Sequence, residues 1–272
     1  MTTGDSPVHL VYQMGKVGSS TVYESLRRAG IPHLFKAHYL SEEGLTRARR
    51  RYDAFPIRVP VPHEQSTVTL QQMLRDGGAD RQWKIFTLVR EPVARDVSAY
   101  VQMVDLLGPK LVAGGPKVGR IARAAAAQFV GFAEERSYTC TWFAEEFGAA
   151  FGLDVLAHPF DAGQGWLRIR SGNLDVAVLR MEDLNRAFET AAAELTGVRV
   201  PMVYASARSP DKLQAAYEEN VYQQILDRVR IPEGLCRKVY ATRYARHFYT
   251  DSEIARFTAK WARLATAGPE RG

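Results

Sequence analysis

Val8-His9-Leu10-Val11-Tyr12-Gln13, running into Met14-Gly15-Lys16-Val17-Gly18-Ser19-Ser20-Thr21, is the stretch whose reading decides the fold. Its first six residues are apolar and rich in β-formers, so they read as a buried strand. Gly15 to Ser19 is a glycine-bearing turn. From Ser20 the pattern is helical, with Val22 and Leu26 four apart on one side, until Gly30 and Pro32 stop it. A tight turn between strand and helix aims several backbone N–H groups at one point, and the helix N-terminus adds its positive dipole end. Gly18 lets the backbone come close to an anion. Lys16 supplies a point charge, and Ser19, Ser20 and Thr21 supply hydroxyls. The turn from Gly15 through Val17 to Thr21 is therefore a candidate phosphate site, against the plainer reading of a strand–turn–helix connection with a small-residue cap. It is not the usual nucleoside-triphosphate loop, G-x-x-x-x-G-K-[ST], because Lys16 precedes Gly18.

Outward from that turn, strands and helices alternate. Leu34 to Leu40 reads as a second strand, and Ser41 caps a helix from Glu42 to Arg51. Pro56 to Pro62 is a proline-rich loop, followed by a helix around Val68 to Arg75. Lys84 to Val89 is a third strand, and Glu91-Pro92 opens the next helix, with proline at a favourable first-turn position. Gly108 to Gly119, with four glycines and two prolines, reads as a loop and a candidate lid. Ile121 to Glu146 is a long helical stretch bent near Gly131. Leu153 to Ala157 is a short strand and Asp175 to Leu179 a clear one, with a helix to Leu195 after it. Lys212 to Val229, Leu235 to Arg246 and Asp251 to Leu264 are helical. This alternation predicts an α/β chain with three layers, a central parallel sheet flanked by helices, in a P-loop-like arrangement. It is expected to be a single domain over 1–272, with a helical C-terminal part packed on the core from about residue 212.

The second chemical signal is Leu88-Val89-Arg90-Glu91-Pro92-Val93-Ala94-Arg95-Asp96-Val97-Ser98-Ala99-Tyr100. Arg90 ends a strand and Ser98 lies about two helical turns on. An arginine fork and a serine hydroxyl can converge on one phosphate. The competing reading is structural, with arginine at a sheet edge and serine packed in a helix. Both motifs follow strands, and ligands of open α/β sheets bind at strand C-terminal ends. Phosphoryl transfer with Mg²⁺ wants a carboxylate at the end of a neighbouring strand. Here the strand ends in Arg90, which points to direct anion binding.

Composition limits the alternatives. The chain has 272 residues, 46% hydrophobic and 24% charged, enough for a sizeable core. Its formal net charge of +6 favours anionic partners without naming one. The basic residues are scattered and no nucleic-acid motif appears. Cys140 and Cys236 show no metal-ligand spacing and are too few for a disulfide framework, which fits a reducing compartment. The N-terminus lacks a signal-peptide pattern and no stretch reaches the ~18–20 apolar residues of a membrane span. These readings predict a soluble cytoplasmic protein.

Together the two motifs resemble the sulfotransferase superfamily that uses 3′-phosphoadenosine-5′-phosphosulfate (PAPS). The first is similar to its 5′-phosphosulfate loop, the second to its 3′-phosphate motif, R-x-P-x-x-R-x-x-S-x-Y. QMGKVGSST, FTLVREPVARDVSAY, VLRMEDL and YARHFYTDSEIARFTAKW resemble more closely the bacterial sulfotransferases grouped under capsular polysaccharide synthesis. The likeness runs from about Val8 to Trp261. It implies PAPS as donor, with Gly15, Lys16, Val17, Gly18, Ser19, Ser20 and Thr21 at the 5′-phosphosulfate, Arg90 and Ser98 at the 3′-phosphate, and no metal. The direction of Arg95 stays open.

An attacking hydroxyl must lose its proton, so a base is needed. His38 lies near the end of the second strand, on the sheet edge of both motifs, and similar sulfotransferases often carry their basic histidine in a comparable place. His63 and Glu64, after the proline-rich loop, compete for the role; His33 is at the wrong end of the strand. Lys16 is expected to stabilise charge on the leaving phosphate. Glu182 and Asp183 read as helix N-terminal residues rather than metal ligands. Tyr39 and Trp166 read as core residues before sugar-stacking ones. The implied acceptor is a hydroxyl of a carbohydrate, glycolipid or small natural product. An Mg²⁺-dependent P-loop kinase and a non-catalytic nucleotide-binding protein are the alternatives.

Overall fold

Five strands form one mixed sheet, in the order Leu34–Ala37, Val8–Tyr12, Trp83–Val89, Leu174–Arg180 and Trp166–Ser171. The structure, a computed structural model, is described over residues 6–55, 58–78, 80–107, 119–124, 126–127, 138–204 and 221–262. Strands β1 (Val8–Tyr12), β2 (Leu34–Ala37), β3 (Trp83–Val89) and β5 (Leu174–Arg180) run parallel, whereas β4 (Trp166–Ser171) pairs antiparallel with β5. Every residue of β1 is buried, as a central strand covered on both faces requires.

The chain divides into two compact units, whose described residues come from 6–90 with 142–204 and from 91–141 with 221–262. The first holds the sheet. Helix α1 (Ser19–Arg28) packs on β1 and β2, α3 (Glu64–Arg75) on β2, and the helix Leu184–Thr196 on β5. Helix α2 (Glu42–Asp53) starts at Ser41, whose side chain accepts the N–H of Gly44 at 2.9 Å. The turn of this unit's helical stretch at Phe143–Gly148 is π-helical.

The second unit is helical: α4 (Pro92–Leu107), then Val221–Arg228, Glu233–Tyr240, Arg243–Phe248 and Asp251–Ala262. Val93, Val97, Ile225, Val229, Val239 and Trp261 share its core. Glu91 is buried at its centre. It accepts from the N–H groups of Val93 (2.7 Å) and Ala94 (2.8 Å), from Tyr240 Oη (2.6 Å) and from Trp261 Nε1 (3.0 Å). Burial pushes its pKa up, opposed by those four donors.

Several expectations are corrected. The sheet is not wholly parallel, because Trp166–Ser171 forms a hairpin with β5 across Gly172 and Asn173, with Gly172 at φ 56°. Leu153 to Ala157 is not a strand: Asp154 accepts the N–H of Leu156 at 3.0 Å and winds Val155–Ala157 into a 3₁₀ turn. The second strand ends at Ala37, three residues early, which leaves His38 just beyond it. Helix α3 begins at Glu64. Thr242 caps a new helix and so divides the stretch expected as one from Leu235 to Arg246. Gly119 is helical, while the rest of the expected lid, 108–118, lies outside the described residues, as do 128–137 and 205–220.

Candidate functional site

The turn after β1 has the geometry of a close-approach loop. Lys16 stands at φ 73° and Gly18 at φ 87°, both left-handed. That conformation is costly for a lysine and normal for a glycine. Gly18 is the N-cap of α1 and offers no side chain to it; its carbonyl accepts the N–H of Thr21 at 3.1 Å. A Cβ on Gly18 would meet Met181 Cγ at 3.4 Å and Leu184 Cδ2 at 3.5 Å, ordinary contact distances, so the positive φ rather than lack of space calls for glycine there. Val17 and Ser19 are buried and anchor the turn, while Gly15 and Lys16 are half-buried and Ser20 is exposed.

Arg90, the first residue after β3, reaches across to this turn. Its Nη1 donates to the carbonyl of Lys16 at 2.9 Å. The structure therefore brings together two of the sequence motifs, 74 residues apart, with this hydrogen bond between them. A carbonyl held by a guanidinium is turned towards it, which orients the peptide that follows. Ser98 lies on α4 in the second unit and is buried. A 3′-phosphate role for Ser98 is an expectation from the sequence motif alone. Arg95 donates to Asp96 Oδ1 at 3.0 Å, Asp96 accepts in turn from Thr139 Oγ1 at 2.5 Å, and the Arg95 guanidinium lies over the Tyr138 ring.

His38 sits over Gly15. A Cβ on Gly15 would lie 3.7 Å from Nε2 of His38, so that nitrogen faces the turn. Nδ1 is 2.8 Å from the carbonyl of Gln13. A carbonyl can only accept, so the shorter contact assigns a proton to Nδ1, with the Gln13 side-chain amide nitrogen 3.4 Å from the same atom; in the neutral ring Nε2 is then the accepting nitrogen. Trp142 Nε1 donates to the backbone carbonyl of His38 at 3.3 Å and fixes the backbone beside it. The geometry of a base oriented by a third group is thus present between β1, β2 and Trp142.

The competing candidates separate. His63, at φ 59° ahead of α3, brings its ring to 5.0 Å from that of His38. Desolvation at the cavity it lines, with the charge of Lys36, pulls its pKa down to about 4, although the residue as a whole is open to solvent. Glu64 accepts from Arg49 Nε at 2.6 Å. His33 stands before β2. Asp183 is paired with Arg180 and Arg186. Trp166 is buried in the core, and Tyr39 packs against Leu45, Ala48 and Val61.

Two features of this unit escaped the sequence reading. Glu146, from the π-helical turn, is fully buried and accepts four hydrogen bonds: from Tyr12 Oη (2.9 Å), the N–H groups of Leu40 (2.9 Å) and Ser41 (3.1 Å), and Ser41 Oγ (3.0 Å). It ties the segment after His38 to β1. The other is a cavity of about 360 Å³ between α1, β2 and the start of α3, with Lys36 at its wall.

No helix among the described residues is long and apolar enough to cross a membrane, and no group of three or more metal-ligating side chains occurs among them. No curated protein and no solved structure matches the chain at a significant level. Residues 135–250, less than half of the chain, match the family described as "NKWYS: Putative capsular polysaccharide synthesis protein", so this part of the sequence is similar to that family.

Proposed function

We propose that this chain is a PAPS-dependent sulfotransferase of polysaccharide biosynthesis, acting without a metal on a hydroxyl of a saccharide. One observation carries the reading: an imidazole whose Nδ1–H is fixed by the Gln13 carbonyl turns its Nε2 to an anion-type turn. The partial likeness to a polysaccharide-synthesis family supports the saccharide. In the proposed reaction the acceptor O–H gives its proton to His38 Nε2. The acceptor oxygen forms a bond to sulfur while the bond from sulfur to the bridging phosphate oxygen breaks. The leaving group, 3′-phosphoadenosine-5′-phosphate (PAP), gains the negative charge. Lys16, the N–H groups of the turn from Gly15 to Thr21 and the dipole of α1 stabilise that charge, and Arg90 belongs to the donor site.

Release of PAP from PAPS with a mixed pool of oligosaccharides tests this. A positioned base contributes roughly 10²–10⁴-fold. The wild-type chain is expected to release PAP, and His38→Ala to lose about that factor while still binding PAP. Undiminished release by His38→Ala would remove the histidine from the mechanism. Turnover of ATP with Mg²⁺ in place of PAPS would favour the kinase reading instead.

A further inference from the structure

The cavity beside the proposed site has walls of known chemistry: Ser20, Tyr23, Glu24 and Arg28 from α1, Lys36 from β2, and His63 and Ser66 at the start of α3. At about 360 Å³ it falls in the range of small-molecule sites, roughly 300–1,000 Å³. Lys36 is its unusual member. Lys36 is half-buried, and an ammonium that has lost part of its hydration is commonly met by a carboxylate. Among the described residues Lys36 meets only the hydroxyl of Ser20, at 3.1 Å, and the face of the Tyr23 ring, 5.9 Å from its centroid. Burial accordingly drags its pKa down to about 8.

The one carboxylate on the wall is already committed. Glu24 accepts from Arg27 (2.8 and 2.9 Å) and Arg28 (2.7 Å), and these bonds hold its pKa at about 2. His63 brings a neutral ring. The cavity therefore carries an uncompensated positive charge, with a hydroxyl beside it and an aromatic face across from it. His63 also touches His38 ring to ring, 5.0 Å between centroids, so whatever occupies the cavity lies next to the proposed base.

We propose that this cavity selects acidic saccharides as acceptors, seating a carboxylate on Lys36 and Ser20 and a sugar face on Tyr23. The identification of the occupant as the acceptor rests on the sulfotransferase reading; the anion site itself does not. The shared chemistry is an anionic group, and the donor's own sulfonate or phosphate is the other source of one.

Calorimetric titration of the full chain tells these apart. The probes are a tetrasaccharide with glucuronic acid at alternate units and neutral chitotetraose, each with and without saturating PAP. The acidic probe is expected to bind about ten-fold more tightly than the neutral one. Lys36→Met should erase that preference and Lys36→Arg restore part of it, with PAP binding unchanged in both variants. Equal affinities in the wild type, or a preference that survives in Lys36→Met, would overturn the proposal. Displacement of the acidic probe by PAP would assign Lys36 to the donor and overturn its role in acceptor choice. A wild-type chain that ignores PAP yet shows the Lys36-dependent preference would refute the sulfotransferase reading and keep the anion site.

Discussion

Glu146, fully buried, and Lys36, half-buried, are both ionisable groups beside the second strand's segment, and they are treated in opposite ways. Glu146 is ringed by four donors, two of them backbone N–H groups, within 2.9–3.1 Å. Lys36 has a single hydroxyl and a ring face. The first charge is saturated by the chain and contributes by fixing geometry: it holds the residues just after His38 against Tyr12. The second is left short, and it lines a cavity. A charge that the fold itself satisfies reads as structure, whereas a charge left unsatisfied beside an open space reads as part of a binding site.

The largest effect that can break this comparison is at Glu146. Replacing it with alanine strands the donors around it and is expected to cost about 3 kcal/mol in chemical denaturation. A loss under about 1 kcal/mol would show that the network contributes little. Next comes Gly44, where a Cβ would land on Oε1 of Glu146. Gly44→Ala should cost about 2 kcal/mol, as overpacking does, and the double variant with Glu146→Ala should cost less than the sum of the two.

Lys36→Met should behave in the opposite sense, leaving stability at pH 7 unchanged or raising it by about 1 kcal/mol, since a half-buried charge is removed rather than a partner. The pH dependence fixes the sign. Burial lowers Lys36 from 10.5 to about 8 in the folded chain. Between those values the unfolded chain keeps a proton that the folded chain has shed, so stability rises with pH. The wild type should therefore gain on Lys36→Met from about pH 8 to about 10.5, read from paired denaturation curves. A gap independent of pH would mean that Lys36 is not desolvated. The smallest expected change is at Lys16, whose φ of 73° suits glycine better. Lys16→Gly should hold or raise stability by up to about 1 kcal/mol while lowering turnover, the mark of strain kept at a working residue.

Much of the first unit was legible. A run of six strand-forming residues, a glycine turn and three hydroxyl residues mark β1, the loop and α1 without help from the rest of the chain. The placement of Arg90 and His38 beside the β1–α1 turn was legible because each follows a strand end. The Arg90 bond to the Lys16 carbonyl was not, because nothing in either motif names the other's backbone as partner. Glu146 was invisible for the same reason: its partners lie 105, 106 and 134 residues away. Strand β4 was missed although Gly172-Asn173 between two apolar runs is a hairpin signal, because Arg168 and Arg170 made WLRIRS look polar. Arg168 is in fact neutralised across the hairpin by Asp175 at 2.7 Å. At Leu153 to Ala157 the error ran the other way, because a capping aspartate outweighed a short apolar run.

In the proposed reading the β1–α1 turn and Arg90 hold a bisphosphate nucleotide. Its most direct test is thermal melting of the wild type and Arg90→Ala with PAP and, separately, with ATP and Mg²⁺. A ligand at about 100 times its dissociation constant adds about 2.7 kcal/mol, ample for a clear shift. A shift with PAP alone, lost in Arg90→Ala, is expected; a shift with ATP and Mg²⁺ alone, or none with PAP, would overturn the PAP-binding reading.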